Sequence, residues 1–150
     1  MRVIIFGPPG SGKGRYSRLI SEKLGIKHIA TGDIFRALIK KNTKIAKEVK
    51  RIMFAGGLQS DDLTNKIIGM ELKKKYAKKG FILDGYPRTI PQAEMLEKFI
   101  KIDKVMNFVA SEQVIVERLG GRRVCRKCGT TFHIKNMPPK LEGVCDNCGG

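Results

Sequence analysis

A chain of 150 residues, 41% hydrophobic and 29% charged, is long enough for one domain with its own core and a small appendage. That usage gives no support to a disordered, collagen-like or membrane-spanning class, and the opening apolar run at residues 3–6 is too short for a signal peptide or a membrane span. With that run so short, a cytoplasmic protein is expected. The balance is strongly basic, with 30 Lys and Arg against 14 Asp and Glu and a net charge of +16, so polyanions are the natural partners.

In chain order, VIIF at residues 3–6 reads as a buried strand running straight into GPPGSGKG. Tyr16, Leu19, Ile20 and Leu24 then recur at helical spacing, which predicts a helix with that apolar face inward and Gly25 at its end. IKHIA supplies a second strand, and TGDIFRAL a helix capped by Thr31 or Asp33. Ile45, Val49, Ile52 and Met53 mark a further helix stopping at Gly56 and Gly57. Asp61 is expected to cap the next, with Leu63, Ile67 and Met70 inward. The lysines at 73–75, 78 and 79 read as a solvated face. GFILDG is a short strand between glycines, YPRTIP leads into a helix starting near Pro91, and further elements follow as a strand at residues 104–109 and a helix at 112–119. Strands alternating with helices predict an α/β fold with a mostly parallel sheet flanked by helices. After GGRRVC the punctuation changes to Gly, Cys and Pro, so the tail is an excursion from the domain.

Three groups of residues carry chemistry. Gly7, Pro8, Pro9, Gly10, Ser11, Gly12, Lys13 and Gly14 have the spacing of a phosphate-binding P-loop between a strand and a helix. Backbone amides surround the phosphates there, and Lys13 adds a movable cation; Gly14 stands where the general motif has a magnesium-binding Ser or Thr. Asp84 ends its apolar strand, the place for a carboxylate that holds magnesium directly or through water. Cys125, Cys128, Cys145 and Cys148 form two Cys-x-x-Cys pairs sixteen residues apart, which predicts a closed, structural zinc site rather than disulfides.

GPPGSGKG, TGDIFR and DGYPRTIPQAE together resemble the adenylate kinases, within the nucleoside monophosphate kinases, and the resemblance continues through AGGLQSDD, ERLGGRR and FHIKNMPPK. It implies reversible, magnesium-dependent transfer of the ATP γ-phosphate to AMP, giving two ADP, on a P-loop NTPase-type core. Carried over residue by residue, it puts the loop amides, Lys13, Arg15, Arg118 and Arg122 at ATP, and Thr31, Arg36, Gly57, Leu58, Gln59, Gly85, Arg88 and Gln92 at AMP. Lys13, Arg36, Asp84, Arg88, Arg118 and Arg122 form the implied catalytic set. Guanidinium groups suit bidentate phosphate contacts, and the amide of Gln92 complements the N1 and N6 edge of adenine. The implied organisation is a core at residues 1–120, with AMP-binding helices near 31–60, and a zinc-ribbon lid at 121–150 that closes over ATP and keeps water from the phosphoryl group. His133 lies in the implied ATP cover and reads as structural.

Three positions depart from the family pattern. Arg15 replaces a threonine, Gln59 replaces an apolar residue beside the AMP base, and the chain stops two residues past Cys148, so it is expected to be a piece of a longer protein with weak or no activity alone. A UMP or CMP kinase remains the nearest alternative. A zinc-ribbon P-loop protein that binds nucleic acid is the distant one, since basic residues and aromatics do not interleave in the tail. A monomer is expected.

Overall fold

A computed structural model describes every residue except Gly56, together with all side chains except those of Phe54 and Gly56. The chain divides into two compact units. The first, Met1–Phe6 with Gly12–Phe108, contains β1 (Arg2–Phe6), α1 (Lys13–Leu24), β2 (Lys27–Ala30), α2 (Thr31–Leu38), α3 (Lys44–Phe54), α4 (Asp61–Leu72), α5 (Lys75–Lys78), β3 (Phe81–Asp84), α6 (Ile90–Phe99) and β4 (Lys104–Asn107). The second, Gly7–Ser11 with Val109–Gly150, contains α7 (Glu112–Gly120), β5 (Arg122–Val124) and β6 (Thr131–His133).

All strands of the first unit are parallel, in the order β2-β3-β1-β4. Their register places Ile29, Leu83 and Ile4 in one row, and because side chains alternate across a strand these three share a face. That face packs with Ile68, Ala77, Phe81, Tyr86 and Leu96. Val3, Ile5 and Ile82 point the other way and meet Ile20, Ile26 and Phe108. A sheet covered on both faces needs continuous apolar strands, as VIIF is and as FILD is up to its final Asp84. Phe81, Ile82 and Leu83 have no exposed surface, and each such side chain contributes about 1.5–3 kcal/mol by leaving water.

Several local expectations are corrected. In α1 the buried residues are Ser17 and Ser21, while Tyr16, Leu19 and Leu24 are exposed; only Ile20 of the expected set packs on the core. The serines can be buried because their hydroxyls donate to the helix's own carbonyls, at Lys13 and Arg18. The residue before α2 is Ala30, so Thr31 is helical and does not cap it. Ser60, not Asp61, caps α4, accepting from Leu63 N, and the buried residues of that helix are Thr64, Asn65 and Ile68, with Met70 exposed. Gly56 as a stop for α3 lies outside the described residues; among the described side chains that helix buries Ala46 and Val49, and Ile45 is exposed. β4 ends at Asn107, and Val109 is exposed beyond it. Among the described residues no helix is long and apolar enough to cross a membrane.

Candidate functional site

Parallel strands bring their carboxyl ends to one edge, where α/β sheets bind ligands. Thr31 follows β2 there, and its hydroxyl donates to the carbonyl of Asp84, the last residue of β3, at 3.2 Å. The Asp84 carboxylate lies 3.4 Å from His28 Nε2, with both side chains nearly buried. It also faces the start of α1: a Cβ on Gly14 would lie 3.5 Å from Asp84 Oδ2, so only a small residue keeps that approach open. Lys13 is the first residue of α1, and Arg15 is exposed on it. Arg88 arches back so that its Nε donates to the Gly85 carbonyl at 2.8 Å. Gly85 has φ +82°, and a Cβ there would lie 3.0 Å from Arg88 Nη2, so the position requires glycine on both counts.

Beside this edge is a cavity of about 320 Å³. Thr31, Gly57, Leu58, Gln59, Gly85, Arg88 and Gln92 all line it. The amide of Gln92 is engaged at both ends: its oxygen accepts from Arg88 N at 2.8 Å and its nitrogen donates to Asp61 Oδ1 at 2.7 Å. The other Asp61 oxygen accepts from the Thr89 hydroxyl at 3.0 Å, which explains why Asp61 does not cap its own helix. Gln59 Nε2 donates to the Val49 carbonyl at 3.1 Å, while its Oε1 is buried with no hydrogen-bond partner. Tyr86 sits beneath, its hydroxyl 2.6 Å from Asn65 Oδ1, and burial first, then the Asp61 charge, pushes its pKa up to about 12. Arg36 turns onto its own helix, 2.5 Å from Asp33 Oδ1.

In the second unit, Gly10 has φ +86° and its carbonyl accepts from Arg118 Nη1 at 3.1 Å. A Cβ on Gly10 would press on Ile115 and Leu119 of α7 at 3.3 Å. Ser11 N donates to the Pro8 carbonyl at 3.2 Å, closing a tight loop, and the Ser11 hydroxyl is buried without a partner. Arg122, on β5, reaches Thr131 Oγ1 at 3.5 Å across the β5-β6 pair. His133 Nδ1 accepts from the amides of Lys135 and Asn136, both at 3.1 Å, and any side chain at Gly121 would overlap its ring.

The four cysteine sulfurs lie within 4.8 Å of one another. Each Cys-x-x-Cys pair closes the same turn: Gly129 N donates to the Cys125 carbonyl at 2.9 Å and Gly149 N to that of Cys145 at 2.8 Å, both glycines at positive φ. Cys125 to Cys148 and Cys128 to Cys145 measure 3.6 Å between sulfurs. A tetrahedron with metal–sulfur bonds of about 2.3 Å has edges of about 3.8 Å, so the four ligands fit one ion and leave no open position. Cys128 carries extra donors: the Thr130 hydroxyl at 3.1 Å, then the Asn147 amide at 3.7 Å. The Thr130 hydroxyl is the chief cause that pulls the Cys128 thiol down to about 5, while its contact with Cys128 pushes Cys148 up to about 12. Cys125 is also held below the ordinary thiol value, chiefly by a backbone hydrogen bond from Cys128.

The profile of the family described as Adenylate kinase matches residues 5–147. A Treponema denticola protein named Adenylate kinase is 51% identical over 150 residues, covering 100% of this chain and 72% of that protein. One from Clostridium botulinum, so named, is 50% identical over 153 residues and shares 99% of this chain and 71% of its own. Another, from Caldanaerobacter subterraneus, is 47% identical over 154 residues, covering 99% of this chain and 70% of its own. The chain belongs to the adenylate kinase family. Its α/β architecture, a parallel sheet flanked by helices with a four-cysteine cluster, is that of an adenylate kinase with a metal-holding segment. Sequence reasoning took His28 only as a strand residue; the available signal was a polar side chain in the otherwise apolar IKHIA, beside the strand that ends in Asp84. The Gln92 amide makes one hydrogen bond at each end within the protein, and each end keeps further capacity for a partner.

Proposed function

We propose that the chain catalyses reversible phosphoryl transfer from ATP to AMP, giving two ADP, with Thr31, Arg36, Gly57, Leu58, Gln59, Gly85, Arg88 and Gln92 forming the AMP side. The observation that supports this most is the single cavity lined by seven of these eight residues at the carboxyl edge of the sheet. Arg36 joins them by exchanging the Asp33 carboxylate for the acceptor phosphate, a swap of one anion for another. Arg88, anchored at Gly85, presents its remaining N–H donors. The residues at 7–14, with Lys13, Arg15, Arg118 and Arg122, form the ATP side. Phosphoryl transfer demands little covalent work, so the task of these cations is to align donor and acceptor and to offset charge on the moving oxygens. Asp84, with the small Gly14 beside it, is the carboxylate suited to hold magnesium, which when bound neutralises the donor phosphates.

The cysteine cluster holds zinc in a structural role, because a four-thiolate site has no place for substrate. By role, residues 1–120 form the kinase core and 121–150 the lid. We further take the protein to be a cytoplasmic monomer, with its charge serving phosphate binding and solvation rather than nucleic acid. A coupled assay of ADP production with ATP and a panel of monophosphates tests this reading. AMP should be the preferred acceptor; a preference for CMP or UMP would move the protein to the pyrimidine-specific kinases, and no ADP from any acceptor by the full-length protein would remove the activity. The same protein should retain no DNA or RNA at physiological salt.

A further inference from the structure

We propose that Asn147 and Thr130 form a hydrogen-bond relay onto Cys128 Sγ, a pair of positioning residues that hold this thiolate in the metal site and slow the release of zinc. This rests on the reading of the four-cysteine cluster as a structural zinc site. Asn147 Nδ2 lies 3.1 Å from Thr130 Oγ1, and Thr130 Oγ1 lies 3.1 Å from Cys128 Sγ. The Asn147 nitrogen is also 3.7 Å from the same sulfur, so the three groups close a triangle. A metal-bound thiolate accepts and cannot donate, so the hydroxyl proton of Thr130 belongs to the sulfur and its oxygen is left to accept. The Asn147 amide must then turn its NH2 toward both, because its oxygen would set lone pairs against the thiolate. Donors in series polarise one another, which makes the Thr130 hydroxyl a stronger donor to sulfur than it is alone.

The relay also ties the two halves of the site together. Thr130 follows the first Cys-x-x-Cys turn, whereas Asn147 sits inside the second, between Cys145 and Cys148. The two residues are 17 positions apart, so neither turn presents both donors by itself. The arrangement is asymmetric: among the described residues, no side chain other than cysteine makes a hydrogen bond to the sulfur of Cys125, Cys145 or Cys148. Four thiolates around one dication leave two negative charges in excess. Donors on a ligand sulfur spread that charge and restrain the side chain, which makes Cys128 the most firmly held of the four.

The test measures zinc affinity and release by chelator competition, together with the thiolate-to-metal charge-transfer band of the cobalt(II)-substituted site, on the full-length protein. Thr130→Val and Asn147→Ala should each weaken zinc binding about tenfold and quicken its release. The cobalt band should move to longer wavelength in both, because a sulfur stripped of donors gives up charge more readily. The double variant should lose little more than Thr130→Val, since the two donors act as one unit. Thr130→Ser, which keeps the hydroxyl, should retain the wild-type affinity and band. Wild-type zinc affinity in both single variants, an unmoved cobalt band, fully additive losses or failure of serine to stand in for threonine would overturn the relay and leave the zinc site standing. Wild-type protein that binds no zinc would overturn the site and the relay together.

Discussion

Phe81, Ile82 and Leu83 lie in the sheet with no exposed surface, whereas between residues 121 and 150 Cys145 is the only side chain among the described residues that is buried. The first unit is held by apolar area and gains stability from every strand that joins it. The cysteine segment exposes Ile134, Met137, Leu141 and Val144 and has two short strands and two glycine-closed turns around four sulfurs. Too small for a core of its own, it is arranged to borrow stability from an ion. One chain thus contains a region whose order is intrinsic and a region whose order is conditional.

Removing the metal should break the comparison most visibly. Zinc in a four-thiolate site contributes on the order of 10 kcal/mol, so a strong chelator, or Cys145→Ser, should abolish amide-exchange protection across residues 121–150 while leaving β1 and β3 protected. Loss of protection in the sheet as well would show the two regions to be one cooperative unit. The converse experiment is Leu83→Ala, which should cost about 2–5 kcal/mol in urea unfolding and leave zinc stoichiometry at one. A smaller effect attaches to Tyr86, whose pKa is raised from 10.0 to about 12. The neutral phenol is favoured in the folded state, so its contribution is whole below pH 10 and is lost as pH climbs toward 12, about 2–3 kcal/mol in all. The stability gap between wild type and Tyr86→Phe should therefore narrow over that window, and a gap independent of pH would contradict it. Smallest is Ser60→Ala, expected to lower stability by about 1 kcal/mol through loss of the α4 cap, with no change in zinc affinity.

The strands were readable because parallel sheets demand unbroken apolar runs: VIIF runs into Gly7, and the FIL of FILD follows Gly80. The cysteine turns were readable because each needs glycine directly after its second cysteine. The inward face of α1 was hidden, since periodicity weighs apolar bulk while close packing there selects Ser17 and Ser21, which satisfy their hydroxyls within the helix. Ser60 and Asp61 are equally good caps as isolated residues; what separates them is the pull of Thr89 and Gln92 on Asp61, partners 28 and 31 positions away. The bonds from Thr31 to Asp84 and from Gln92 to Asp61 are long-range in the same way. Seven of the eight expected acceptor-side residues line one cavity, Arg36 does not, and the allocation of the hydrogen bonds there could not be read from the sequence.

The strand register has a consequence in time. β1 pairs with β3 from Arg2 against Phe81 and with β4 from Val3 against Lys104, so β1 has no sheet partner until residues 7–80 have been made. At roughly 5–20 residues per second, the interval before β3 is complete is about 4–16 s, far longer than helix formation or collapse takes. During that interval VIIF is an apolar segment with bare backbone donors and acceptors, the kind of segment that chaperones bind and that aggregates seize. The cysteine turns face no such delay: their sulfurs are separated by at most 23 positions, and the segment can close around its ion as soon as Cys148 is free.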